Sequence, residues 1–509
     1  MTRLSTPRAL ILALLATAIV PATASAALPG ASVSAKKSKM VKHVDYAGTQ
    51  HLKFKYGPVK ILPGQNNIEF HPNMEKPKVP GYITRFAPDL VYATGKQRVP
   101  RVDIIHLHHG VWLMRGYPTF AAGEEKTVQQ MPRGYGYRYD PSDGWIMNYM
   151  IHNLTPKPTS VYITYDIDFV PAGTPTANKL TEAKPLWMDV SGIKAYPVFD
   201  VYKGQGKKGK FTFPDQARAS QQQDIGRAQT STVRRPMTIL STAGHLHPGG
   251  LWTDLKVTRA GKTRELFRSQ AKYFEPAGAV SWDVSMTHTK PGWRVALSPG
   301  DELSVSATYD TRKASWYESM GIMVLYYAEG KQPGAKDPFR SKVDWKGLLT
   351  HGHLAENNFH GGKPRPGRPD ARKLPGGVFS SDLKIEGYVY GLGDLNVSGK
   401  RGRPPRVRAG QSIEFTNLDA TIADGPQESA YHTITSCRAP CTASTGIAYP
   451  LANGPVRFDS GELGYGPGGS TPAENTNKWE TPKSLKPGTY TYFCRIHPFM
   501  RGAFRVVNG

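Results

Sequence analysis

Tyr492-Phe493-Cys494-Arg495-Ile496-His497-Pro498-Phe499-Met500-Arg501-Gly502, close to the C-terminus, carries a thiol, an imidazole and a thioether on one short segment. A second imidazole, His432, lies upstream in Tyr431-His432-Thr433-Ile434-Thr435-Ser436. Two imidazoles and a thiolate in a near-trigonal set, with a weak thioether on the axis, form the soft donor mix that type 1 copper uses in both oxidation states. The predicted ligands are therefore His432, Cys494, His497 and Met500, with the last three on a loop between two strands that can wrap one ion.

Residues 494–502 resemble the ligand loop of amicyanin, and Val407-Arg408-Ala409-Gly410 through Asn417 resembles the preceding strand of plastocyanin-type cupredoxins. The resemblance covers residues 379–509. It implies a Greek-key β-sandwich carrying one type 1 copper and serving in electron transfer. Multicopper oxidases and copper nitrite reductases place a His directly beside the type 1 Cys as an electron relay. Here the neighbours are Phe493 and Arg495, so an electron leaving this domain must travel through space or through another domain.

Upstream, histidines fall in groups: His106, His108 and His109 in Ile105-His106-Leu107-His108-His109-Gly110, His152 in Tyr149-Met150-Ile151-His152-Asn153, and His245 and His247 in Gly244-His245-Leu246-His247-Pro248. Strand alternation puts His245 and His247 on one face, where two imidazoles can chelate one metal. The order of an adjacent His pair, a lone His, a His-X-His and then Met320 in Glu318-Ser319-Met320-Gly321-Ile322-Met323 resembles the copper type II, ascorbate-dependent monooxygenases. That family includes the peptidylglycine α-hydroxylating and dopamine β-monooxygenases.

This likeness covers roughly residues 100–330 and implies two β-sandwich domains with a cleft between them. It further implies one copper on His108, His109 and His152 that stores and passes an electron, and a second on His245, His247 and Met320 that activates dioxygen. A His106/His108 chelate is a standing alternative, since those two share a strand face, and Met323 is an alternative to Met320. Two departures matter. Residues 27–436 contain no Cys, whereas the family is heavily cross-linked. The positions that grip a substrate carboxylate in the peptide-processing enzyme hold Ala243, Ile322 and Val324 here, so peptidylglycine is not the expected substrate.

Short runs rich in Val, Ile, Tyr and Thr between turn clusters, with abundant Gly (52) and Pro (42), predict an all-β chain. At 509 residues it is too long for one core. The expected organisation is a signal peptide (1–26), two monooxygenase-like β-sandwich domains (43–175 and 176–360), a linker dense in Gly, Pro, Lys and Arg (361–378) and the cupredoxin domain (379–509). Arg3 and Arg8, the apolar run 9–20 and Ala24-Ser25-Ala26 form the secretory pattern, which predicts a secreted, periplasmic or cell-envelope protein with no stable membrane span after cleavage.

Three cysteines in an exported chain leave one over. Cys437 and Cys441 are close enough to pair around a tight turn, which leaves Cys494 for the metal. The net charge of +25 gathers at residues 36–42, 203–210, 363–373 and 400–408 without interleaved aromatics, which reads as a solvated basic surface and not as a nucleic-acid groove. His351, His353 and His360, with Glu356, read as a polar loop before a metal site. The expected partners are dioxygen, an unknown small organic substrate and an external electron donor. The rival expectation is a non-catalytic copper-binding electron carrier on the same scaffold.

Overall fold

Val161-Tyr162-Ile163-Thr164-Tyr165-Asp166-Ile167-Asp168-Phe169 alternates as a half-buried strand should, and it forms the middle of the strand Thr159–Pro171, with the odd-numbered side chains fully buried. The computed structural model describes residues 40–64, 68–192, 197–218, 229–275, 277–352, 368–395, 402–420, 431–442, 450–451, 454–464 and 476–509, which belong to one compact unit, Lys39–Gly509. Its regular structure is almost entirely strand, as the turn-rich composition predicts. Residues 1–26, the first part of the linker (361–367), and His353, Glu356 and His360 lie outside the described residues. Among the described residues no helix is long and apolar enough to cross a membrane.

In the N-terminal sandwich, Gly81–Tyr92 lies between Thr159–Pro171 and Tyr135–Tyr139 in a six-stranded sheet. Opposite it, a four-stranded sheet runs Ile68–Pro72, Trp145–Asn153, Ile105–Met114, Tyr117–Gly123. Phe86 of the first sheet stacks on Phe120 of the second at 4.5 Å and meets Trp112 edge-on at 4.9 Å, so aromatic rings fill the space between the sheets. No cysteine is needed here because buried aromatic and aliphatic surface supplies the stability.

The middle portion is an eleven-stranded sheet that wraps a second core, including Phe211, Leu255, Phe267, Val305 and Leu325. Its strand Ile322–Glu329 alternates between two cores. Met323 and Leu325 enter this second core, while Ile322, Val324 and Tyr326 join the first, where the Tyr326 hydroxyl donates to the Thr119 carbonyl at 2.7 Å. That double use welds the middle sheet to the N-terminal sandwich. It also turns Met323 away from the face that carries His245, whose strand partner is Ile322.

The C-terminal sandwich sets Asp382–Ile385, Glu414–Asn417 and Lys478–Glu480 against Arg406–Arg408, Arg501–Val507, Gly488–Phe493 and Thr435–Cys437. Leu383, Phe415, Tyr492 and Phe504 form the core between them. Cys437 and Cys441 are joined by a disulfide, and Cys494 is the free, buried cysteine.

Candidate metal centres

Gly488–Phe493 and Arg501–Val507 are antiparallel neighbours, with Phe493 opposite Arg501, so residues 494–500 form the loop that closes the pair. Within the loop Met500 N–H donates to the His497 carbonyl at 2.8 Å, which folds it tightly. The Thr433 and His497 N–H groups each donate to Cys494 Sγ at 3.3 Å, which favours a thiolate. His432 Nδ1 and His497 Nδ1 are 3.0 Å apart, and they lie 3.9 and 3.7 Å from Cys494 Sγ. The point equidistant from these three atoms is about 2.1 Å from each, a coordinate-bond length for imidazole nitrogen and close to one for thiolate. The donor chemistry and spacing therefore fit a copper ion. Met500 is fully buried in the same core.

Electrostatics agree with that fit. Burial pushes the Cys494 thiol up, but hydrogen bonds from His432 and His497 outweigh it and hold the group well below its ordinary value. Burial pulls His432 down, and the Asp419 carboxylate, 2.8 Å from its Nε2, together with the Cys494 sulfur more than restores it. Asp419 thus fixes the ring so that Nδ1 faces the thiolate. His497 Nε2 donates to the Gly64 carbonyl of the N-terminal sandwich at 2.8 Å, so the outer edge of this imidazole is covered by another part of the chain.

The upstream histidines converge because of one irregularity. His106 lies directly opposite His152 in the pairing of Ile105–Met114 with Trp145–Asn153, and a β-bulge follows between Leu107 and His109. The extra residue, His108, resets the alternation, so the histidines on both sides of the bulge face away from the aromatic core. His106 and His152 have ring centroids 5.3 Å apart, and His106 packs on Trp282 at 4.2 Å. His108 contacts His247 at 4.1 Å, which brings a member of each expected trio together.

Among the described residues, two groups of three His, Cys, Asp or Glu side chains bring ligand atoms within 4.8 Å of one another: His432/Cys494/His497 and Glu124/His245/His247. His108, His109 and His152 do not form such a group. Their ring centroids are 6.0 Å (His108 to His109) and 6.3 Å (His108 to His152) apart, and His109 Nε2 donates to Asn148 Oδ1 at 2.8 Å. Met320 is buried just before Ile322–Glu329, and the Tyr309 hydroxyl, which also accepts from the His247 N–H at 3.2 Å, holds its backbone. His351 hydrogen-bonds the Gly352 and Glu125 carbonyls, the behaviour of a polar loop residue.

Burial pushes His106 down to about 3 and His109 to about 4, and holds His108, His152 and His247 well below their ordinary value, so these imidazoles are neutral at pH 7. His247 Nδ1 donates to the Glu318 carbonyl at 2.6 Å, which leaves its Nε2 as the lone-pair nitrogen. Glu124 and Glu125 are residues that sequence reasoning missed. Both are fully buried, yet Gly123-Glu124-Glu125-Lys126 has the look of an exposed turn.

The C-terminal loop closes over these histidines. His152 Nε2 donates to the Ile496 carbonyl at 2.7 Å, and Arg495 pairs with Asp459 at 3.1 Å while lying over Trp316 and Tyr317. Between the loop and the histidines is a cavity of about 60 Å³, lined by His108, His152, His247, Trp282, Glu462 and Arg495 among others. Burial, reinforced by Glu318, raises the Glu462 carboxyl well above its ordinary value, so it is a neutral acid at the cavity wall.

No protein-family model matches this chain, and no curated protein matches it. Among solved structures, it is similar to a copper-containing nitrite reductase from Thermus scotoductus SA-01 at 15% identity, over 54% of this chain and 59% of that one, with a TM-score of 0.17. It is also similar to PNGase F, a glycosylasparaginase from Flavobacterium meningosepticum, at 8% identity over 57% of this chain and 98% of that one, with a TM-score of 0.27. At these TM-scores neither likeness carries an argument. The chain spans about three fifths of the reductase it matches.

Proposed function

We propose that this chain is an exported copper protein in which the C-terminal sandwich passes single electrons to a metal centre on the buried histidines. That centre would use dioxygen to hydroxylate a C–H bond of a small organic substrate. The observation that carries the reading is the 2.7 Å hydrogen bond from His152 Nε2 to the Ile496 carbonyl. Ile496 lies between Cys494 and His497, so a single hydrogen bond joins the two ligand groups.

His432, Cys494, His497 and Met500 would hold the type 1 copper, and His108, His109, His152, His245, His247 and Met320, with His106 beside them, supply the donors of the upstream centre. Copper bound at these sets supplies reversible one-electron chemistry. The protein's own residues do the rest. Arg495, stacked on Trp316 and Tyr317, clamps the loop over the cavity, and Trp282 screens His106 from water. Glu462 offers a proton where oxygen reduction would consume one. An external donor would refill the C-terminal site. Export rests on the pattern in residues 1–26.

One observation favours a second reading, a copper-binding electron carrier without catalysis. The cavity of about 60 Å³ holds a few water-sized molecules and not an organic substrate.

Copper per chain, read with the visible spectrum, tests both. In the wild type, more than one copper is expected, with the blue band lost in Cys494→Ser and retained in the His245→Ala/His247→Ala double variant at reduced copper content. One copper per chain, unchanged by removing His245 and His247, would sink the upstream centre.

A further inference from the structure

The strand Tyr117–Gly123 ends in a turn, Gly123-Glu124-Glu125-Lys126, closed by the Lys126 N–H donating to the Gly123 carbonyl at 3.0 Å. The turn drives two carboxyl groups into the interior beside His245 and His247. Glycine is required at its start. A Cβ on Gly123 would stand 2.7 Å from the His108 carbonyl and 2.9 Å from His245 Nδ1, so any side chain would push the turn off the histidines.

The two acids have different surroundings. Glu125 accepts from His245 Nδ1 at 2.8 Å, which turns the other nitrogen of that ring inward. Glu124 is fully buried, and neither of its oxygens meets a hydrogen-bond partner outside its own residue among the described residues. His245 Nε2 and His247 Nε2 are likewise buried without a partner, while their Nδ1 atoms are engaged by Glu125 and the Glu318 carbonyl. Glu124, His245 and His247 each bring a ligand atom within 4.8 Å of the others, and each keeps a buried atom without a partner. Buried polar atoms are normally satisfied, and a cation at this point satisfies all three at once.

We propose that Glu124, through a carboxylate oxygen, and His245 and His247, through their Nε2 atoms, hold one divalent transition-metal ion. Glu125 and the Glu318 carbonyl orient the two rings. The inference rests on reading this centre as a metal site and alters its third ligand, putting a carboxylate where the monooxygenase resemblance puts the thioether of Met320. The consequence is metal choice. A thioether favours soft Cu(I), whereas two imidazoles and a hard, anionic carboxylate favour a borderline divalent ion such as iron(II), zinc(II) or copper(II).

The test uses zinc(II), which is redox-silent, titrated calorimetrically into full-length protein that carries a single copper per chain, placed at the Cys494 site by its blue band. Glu124→Gln is expected to weaken a zinc equivalent by at least about 10-fold, and Met320→Leu to leave it within about 3-fold. The blue band should be unchanged in both. Equal zinc affinity in wild type and Glu124→Gln overturns the proposal, as does the absence of any zinc equivalent in the wild type.

X-ray absorption on the zinc-loaded wild type needs no variant to fold. Nitrogen and oxygen neighbours alone, at about 2.0–2.2 Å, are expected, and a sulfur neighbour near about 2.3 Å overturns the assignment. The functional reading fails separately. If zinc binding needs Glu124 but the copper-loaded protein transfers no electron between its two centres, this site stands and the electron-transfer proposal falls. If transfer is intact but zinc binding is independent of Glu124, the electron-transfer proposal stands and this site falls.

Discussion

Replacing Gly64 with alanine should loosen the C-terminal sandwich from the rest of the chain. Gly64 has a left-handed backbone, φ 66°, and its carbonyl accepts from His497 Nε2 at 2.8 Å. A Cβ there would collide with the His497 ring, 2.8 Å from Nε2, and would stand 2.9 Å from Tyr388 Cε1. Both rings are packed together, 4.9 Å between centroids, so the Gly64 segment must withdraw.

The left-handed conformation costs an alanine about 1–2 kcal/mol. Leaving a buried imidazole N–H without its acceptor adds about 1–3 kcal/mol. Together Gly64→Ala should cost about 2–5 kcal/mol. Gly95 supplies the control, because its φ is 65° and a Cβ there meets nothing within 4 Å, so Gly95→Ala should cost only the backbone share. The assay is urea unfolding of the copper-loaded protein, followed in parallel by the blue absorbance and tryptophan fluorescence. A larger loss of midpoint in Gly64→Ala than in Gly95→Ala, seen first in the blue band, is expected. Indistinguishable curves would refute the docking contact.

Three further outcomes follow from named contacts. Asp419→Ala removes the carboxylate that orients His432, and copper affinity at the Cys494 site should fall about 10- to 100-fold by competitive chelator titration. Cys437→Ser/Cys441→Ser opens a short loop, sequence separation 4, and should cost about 2 kcal/mol in urea while the blue band persists. Arg259 forks between the buried Asp301, at 2.6 Å, and Asp337, at 3.0 Å, so Arg259→Ala should cost about 2–4 kcal/mol at pH 7. Burial raises Asp337, but the Phe339 N–H and Arg259 outweigh it and hold it below its ordinary value. A depressed folded-state value contributes stability above the unfolded value and loses it as pH falls through the folded one. The gap between wild type and Arg259→Ala should therefore narrow below about pH 4.

The nearness of Cys494, His497 and Met500 was legible because they lie on one loop, where chain connectivity alone keeps them close. His245 and His247 were singled out as a His-X-His pair, although the strand Met237–His245 ends before His247, and the face of Met323 followed once the two cores were known. The grouping of the other histidines was not legible. A bulge at His108 shifts the alternation by one residue, and a bulge leaves no residue-type signal in Ile105-His106-Leu107-His108-His109-Gly110. Glu124 and Glu125 were hidden for a related reason. Adjacent glutamates after a glycine belong on a surface by composition, and only the packing of strands distant in sequence encloses them.

The sequence by itself determined the all-β class, the pairing of Cys437 with Cys441 and the placing of Cys494, His497 and Met500 on one short loop, since each depends on local period or short spacing. Tertiary structure alone decided that His152 reaches Ile496, that Gly64 covers His497 and that Glu124 faces His245 and His247. Those contacts join segments hundreds of residues apart in two of the three cases. Their geometry is fixed by how sheets stack and twist against shared cores, which no single stretch of sequence encodes.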